Sequence, residues 1–337
     1  MRRGTALLKF VLVLASVCAP HSNDARAAEP DGYAWILPKG FPVPRVPADN
    51  PMTTAKVELG RHLFYDTRMS VNGKVSCATC HKQELAFTDG RPVGVGATGE
   101  KHTRSAMSLV NVAYRPALTW SDSQMKELER QALVPMFGAH PVELGLREGD
   151  GFPPLLRKDP IYRDLFARAF PGAPDFFTIA HVTKAIASFE RSIISAGSPW
   201  DHYHYEREDG AISAAAKRGE ILFFSQPLSC FRCHGGFNFS GSEFHAGILP
   251  FTGVPGDAEK FAAPTLRNIA VTAPYMHNGS LATLESVLDR YAAGRGGRAD
   301  PDGLLGGLSS LGSGTERSDR ISAIPDGRNS ASRSPLR

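Results

Sequence analysis

The sequence predicts a mainly α-helical protein of two related modules joined by long irregular loops, and three observations carry that reading. A five-residue motif, Cys77-Ala-Thr-Cys80-His81, recurs as Cys230-Phe-Arg-Cys233-His234, 153 positions later. The segments leading into the two copies, Gly60-Arg-His-Leu63-Phe64-Tyr65 and Gly219-Glu-Ile-Leu222-Phe223-Phe224, share the order G-x-x-L-F-aromatic, and such self-similarity marks repeated structural units. Composition is the third: 33 Gly and 25 Pro in 337 residues, together about 17% against a usual ~12%, call for extended irregular connections. An apolar content of 42% supplies a buried core, and the length suits two domains or one large one.

The N-terminus reads as an address. Arg2 and Arg3 precede an apolar run, Phe10 to Ala19, well short of the ~20 residues that span a bilayer. Small residues at Ala25, Ala27 and Ala28 then supply a cleavage site, so residues 1–28 are expected to be a signal peptide. Its removal takes the formal charge from +4 to +1, which gives no electrostatic support to a nucleic-acid partner. No later run approaches spanning length, so the mature chain is expected in the periplasm without a transmembrane span. Cys18 could be read as a lipid-modified cysteine, but Val17 before it is bulkier than such sites carry.

The four remaining cysteines belong to the repeated motif, and C-x-x-C-H is the signature of c-type haem attachment. Two thiols three positions apart can each form a thioether to a haem vinyl group, while the adjacent His81 or His234 reaches the iron. Zinc or disulfide pairing is the alternative for four Cys and two His. Two complete copies in an exported chain favour two covalent haems, and hence two cytochrome c-like domains with long irregular loops.

The elements follow in order. In each module an apolar helix, around 60–65 and 219–224, leads into the haem loop. Asp122 to Leu133 reads as helical, stopped by Pro135. Ile179, Val182, Ile186, Phe189 and Ile193 recur at helical steps across 178–195, and Gly197-Ser198-Pro199 breaks that helix. Leu284, Val287, Leu288 and Tyr291 form a stripe on a helix ending near Gly294, where periodicity alone makes Tyr291 a core residue. The expected division is residues 29–200 for the first haem domain and 201–302 for the second. Residues 303–337, rich in Gly, Ser, Arg and Asp without apolar periodicity, read as a disordered tail.

Several runs resemble the bacterial di-haem cytochrome c peroxidase and MauG family. They are Leu59-Gly-Arg-His-Leu-Phe-Tyr-Asp66, the Ser-Cys-Ala-Thr-Cys-His run ending at His81, Ala263-Pro-Thr-Leu-Arg-Asn268 and Thr272-Ala-Pro-Tyr-Met-His-Asn-Gly-Ser280. The similarity extends over about residues 33–294. Gly32-Tyr-Ala-Trp-Ile-Leu-Pro38 and the run from Gln131 to Gly145 resemble, more narrowly, the MbnH-like members, which accompany copper-binding proteins and oxidise a partner tryptophan.

The resemblance implies a set of roles. Counting fourteen residues on from His277 places Tyr291 as the distal ligand of the second haem, where peroxidases serving small cytochromes carry Met. The first haem, on His81, keeps a face open for hydrogen peroxide. Glu143 becomes its acid–base carboxylate, Gln131 orients peroxide, Pro135 forms the distal wall and Trp120 stands between the haems. Taken without the resemblance, these are an exposed carboxylate, a surface amide, a helix stop and a core Trp. Main-chain carbonyls of Thr272 and Pro274 correspond to a calcium site between the domains, with Ser105 where the family has Asn. His102, on a Gly-rich loop, reads as structural or solvent-facing.

The chain departs from the family in a Gln131-to-Glu143 spacing two residues longer, a shorter stretch between Phe239 and Phe261, and the tail beyond Arg295. Three functions compete. The first is an exported oxidase that uses peroxide, through high-valent haems, to oxidise a partner-protein residue, a Trp. The second is a cytochrome c peroxidase that reduces peroxide with electrons from a small redox protein. The third is a non-catalytic di-haem electron carrier.

Overall fold

The computed structural model describes residues 32–147, 154–240, 251–253 and 260–293. The expected signal peptide and tail lie outside the described residues. The described residues form ten helices, α1 Thr54–Tyr65, α2 Cys77–Cys80, α3 Leu128–Gln131, α4 Leu133–Phe137, α5 Pro154–Lys158, α6 Pro160–Ala169, α7 Ile179–Arg191, α8 Pro199–Tyr205, α9 Ala214–Phe223 and α10 Leu284–Ala293. One small antiparallel pair, β1 Phe251–Gly253 and β2 Lys260–Ala262, adds the only sheet among them. The fold is mainly α with long connections, as the motif repeat and composition predict.

The core lies where α1 crosses α7. Thr53 caps α1 by accepting from the Lys56 N–H, and Thr178 caps α7 by accepting from His181. The buried face of α1, Leu59, Leu63 and Phe64, meets Val182, Ala185, Ile186 and Phe189 of α7, with Phe64 and Phe189 ring centroids 5.1 Å apart. Gly60 permits the crossing, because a Cβ there would run into the Ala185 carbonyl and the Phe189 side chain. Two residues of the repeat segment, Leu63 and Phe64, thus belong to the packed core.

Two helical expectations shift. The helix expected over 178–195 ends at Arg191, because tertiary bonds take over the backbone beyond it. Asn111 N–H donates to the Ile193 carbonyl, and Ser195 N–H donates to Asn111 Oδ1. Ser198 and Pro199 do more than break that helix, for they cap and open α8. The stretch from Asp122 is a turn rather than a helix: Asp122 Oδ1 accepts from Gln124 N–H, and Leu118 N–H donates to Met125 O. Helix begins at Leu128, and Pro135 sits inside α4 instead of stopping it. Third in a helix of five residues, it lacks only an N–H that would have had no intrahelical partner.

The two modules repeat at the level of single hydrogen bonds. His81 Nδ1 bonds the Phe87 carbonyl at 2.8 Å and His234 Nδ1 the Phe239 carbonyl at 3.2 Å, both phenylalanines having positive φ. The carbonyl before each Phe accepts from a hydroxyl, Ala86 from Ser108 and Asn238 from Thr265. Three residues after each hydroxyl stands an Asn in the left-handed region, Asn111 (φ 55°) and Asn268 (φ 59°), opening a 3₁₀ turn, a conformation Asn tolerates. Both asparagines reach Ser195, Asn111 through its backbone and Asn268 through its hydroxyl. Ser195 is therefore a shared post between the modules. Arg267, buried and bidentate to Asp201 at 2.8 and 2.9 Å, ties α8 to the second module.

Candidate functional site

The first motif opens onto a cavity of about 300 Å³ whose lining includes Cys77, Cys80, His81, Trp120, Gln131, Pro135 and Glu143. Every residue assigned above to the peroxide-reactive haem borders this one space, although 66 positions separate the first from the last. Ser76 precedes α2 and shares a capping box with Thr79, which fixes the turn carrying both thiols. Burial pushes both thiols up, and nearby carboxylates add to the shift, Glu190 and Glu143 at Cys77 and Asp89 and Glu143 at Cys80. The Glu143 loop is docked closely, since a Cβ on Gly96 would strike the Val142 carbonyl and Ala97 N–H donates to Glu143 O at 2.7 Å.

Both motifs suit covalent haem. All four thiols are free of disulfides. A carbonyl can only accept, so each histidine carries a proton on Nδ1, and burial lowers the pKa of both rings. Nε2 of His81 and of His234 is then the lone-pair nitrogen that an iron requires, oriented by its backbone partner. Among the described residues, the one group of three or more His, Cys, Asp or Glu side chains close enough to hold a metal is His202, Glu206 and Glu208, remote from both motifs in sequence.

Glu143 is half-buried, and burial raises its pKa above the ordinary Glu value. His102 lies across from it, Nε2 to Oε1 3.9 Å. Its Nδ1 accepts from Arg104 N–H at 2.9 Å, so Nε2 bears the proton and points the donor side toward Glu143. Burial and Arg104 hold this imidazole neutral. His102 is half-buried in the cavity wall, a structural placement that also sets it beside the candidate base. Glu190 and Arg115 line the same cavity, and sequence reading singled out neither. Glu190 follows directly from the α7 stripe, and Arg115 from the turn after Asn111, so position relative to recognised elements was the available signal.

Trp120 bridges the modules. Its indole N–H donates to Ser105 O at 2.9 Å, and its own carbonyl accepts from Ala262 of β2. Its ring lies 6.5 Å from that of His277, which stacks on Phe261 at 3.9 Å. Ser105 N–H donates to His277 O and its hydroxyl to Met276 O, so Ser105 packs on the loop that carries Thr272 and Pro274.

Tyr291 lies half-buried on α10. Burial pushes its phenol up to about 12, and the thiols of Cys233 and Cys230 add to the shift. No helix of the described residues is long and apolar enough to cross a membrane.

Residues 54–209 match the family described as di-haem cytochrome c peroxidase, and residues 260–293 a RoxA-like, cytochrome c-like family. The chain is 33% identical to the methylamine utilization protein MauG of Methylophilus methylotrophus, over 84% of each chain. It is 30% identical to the cytochrome c551 peroxidase of Nitrosomonas europaea, over 76% of this chain and 78% of that one. Among solved structures, a MauG-like protein associated with microbial copper homeostasis superposes with a TM-score of 0.79 at 38% identity, covering 90% of this chain and 98% of the other.

Proposed function

The chain belongs to the di-haem cytochrome c peroxidase family that includes MauG, an oxidoreductase family of c-type haem proteins, and from that premise we propose an exported, periplasmic enzyme that uses hydrogen peroxide to oxidise a tryptophan of a partner protein. The observation that carries this reading is Tyr291. Its phenol is electrostatically coupled to the Cys233 and Cys230 thiols, at the position where the resemblance gives relatives serving small cytochromes a Met, and a hard phenolate ligand would favour an oxidised iron. Similarity to the copper-associated MauG-like protein supports the same branch.

Cys77, Cys80 and His81 would hold one haem and Cys230, Cys233, His234 and Tyr291 the other, and the bound haems would supply peroxide cleavage and storage of oxidising equivalents. The chain's own groups do the rest. Glu143 takes a proton from hydrogen peroxide and returns it to the leaving oxygen, a general acid–base role that a raised pKa suits. Gln131 orients peroxide by hydrogen bonding, and Pro135 walls the cavity against displacement of that small ligand. The neutral His102 keeps the Glu143 carboxylate turned inward. Trp120, tied to Ser105 and beside His277, offers an oxidisable ring between the modules. A calcium ion held by the carbonyls of Thr272 and Pro274, with Ser105 adjacent, would fix that junction, since oxygen ligands suit the ion; chelation should then loosen Trp120 fluorescence.

A second reading, peroxide reduction with electrons from a small redox protein, is favoured by similarity to the cytochrome c551 peroxidase. Supplying peroxide and a reduced small c-type cytochrome separates the two. Slow consumption of the cytochrome fits partner oxidation, whereas rapid turnover establishes the second reading.

A further inference from the structure

Three arginines are buried among the described residues, Arg115, Arg191 and Arg267. A buried cation normally has an anionic partner, because an uncompensated one is costly. Arg191 pairs with Glu129 at 2.7 Å and Arg267 with Asp201 at 2.8 Å. Arg115 differs: its side chain donates to the Met107 sulfur at 3.4 Å, and no described carboxylate pairs with it. Burial alone lowers its pKa, to about 10, so the guanidinium stays charged at neutral pH.

Position says which anion it awaits. Arg115 lines the first cavity together with Cys77, Cys80 and His81. Its charge acts on His81, and the Met107 it touches also supplies a carbonyl to the His81 ring. Arg115 lines the cavity that the first haem would fill, in contact with Met107, and no ion pair among the described residues joins it to Glu143. An anion meeting it there belongs to the edge of the porphyrin.

We propose that Arg115 binds a propionate carboxylate of the first haem and sets that haem's reduction potential. The guanidinium fork matches a carboxylate bidentately. The device belongs to one module only. Arg115 stands four residues after Asn111, and the position four after Asn268 is Thr272, which carries no charge. The proposal rests on the attachment of a haem at Cys77 and Cys80.

The test uses the full chain carrying both haems, as Arg115→Gln, Arg115→Leu and Arg115→Lys, with haem content checked on denaturing gels and each haem followed by EPR during a redox titration. Removing the cation should lower the midpoint potential of the first haem in the Gln and Leu proteins, leave the second unmoved, and be largely reversed by Lys. Wild-type potentials at both haems in the Gln and Leu proteins would overturn the proposal. Should those variants fail to mature, the propionate bending mode of the wild-type first haem in resonance Raman decides: a hydrogen-bonded propionate supports Arg115, a free one overturns it. A wild-type chain without covalent haem at Cys77 and Cys80 would remove the underlying reading instead, and the proposal with it.

Discussion

The indole of Trp120 and the imidazole of His277 meet edge to face, centroids 6.5 Å apart and planes at 72°. Trp120 borders the first cavity, while His277 stacks on Phe261 of β2 in the second module. Two π systems in near contact at the junction thus link the edge of the first cavity to the second module.

Trp120→Phe keeps a ring but loses both the N–H bond to Ser105 and the readily oxidised indole. The expected outcome is a first haem that still reacts with peroxide while the second no longer changes with it. Stopped-flow spectra of the two haems check this, and unchanged sharing would exclude the relay.

Glu143→Gln removes the only proton carrier assigned to the cavity while preserving shape. Loss of general acid–base help is typically worth about 10²–10⁴-fold, and the peroxide rate should fall by that order. The carboxylate form is the base, and burial raises its pKa. The wild-type rate should therefore climb with pH through a value above the usual ~4.3 of Glu, and the Gln protein should lack that limb.

Glu190 is 6% exposed, and its Oε2 has no hydrogen-bond partner among the described residues. Burial holds its pKa up at about 8, so the folded chain binds this proton more tightly than the unfolded one. Stability contributed by the neutral form is complete at acid pH and declines as pH rises from the ordinary Glu range to about 8. Glu190→Gln should flatten that decline and raise the stability above pH 8 by on the order of a few kcal/mol, and the melting temperature with it. Thermal melts of the holoprotein across pH read it directly.

Gly60→Ala tests the α1–α7 crossing. Alanine would improve helix propensity by about 1 kcal/mol, but its methyl would strike the Ala185 carbonyl, backbone that cannot swing aside. Overpacking strain of about 1–3 kcal/mol or more wins, and denaturant unfolding should show net destabilisation.

Much of this was legible in the sequence, because the informative features are local. The C-x-x-C-H spacing, the α7 stripe and the Gly60 repeat each lie within one element, and their geometry follows from it. The cavity-lining set around Glu143 came from family resemblance, since no periodicity links Trp120 to Gln131 or Glu143. What stayed hidden depends on tertiary partners. The end of α7 at Arg191 is set by Asn111, 80 positions away in sequence. The Ser108–Asn111 and Thr265–Asn268 repeat is too short and too divergent to stand out until their hydrogen bonds coincide. Arg115 and Glu190 look like ordinary charges in the sequence, and only burial without a matching partner makes them unusual.

The central claim is that Tyr291 and the His81 cavity make an enzyme ready for peroxide without prior reduction. The most direct measurement adds hydrogen peroxide to the fully oxidised, two-haem protein and follows the Soret and near-infrared bands of the wild type and of Tyr291→Met. The account predicts an immediate reaction in which both haem spectra change together, and loss of that joint change in the Met protein. A wild type that reacts only after one haem is reduced, or a Met protein indistinguishable from it, would contradict the account.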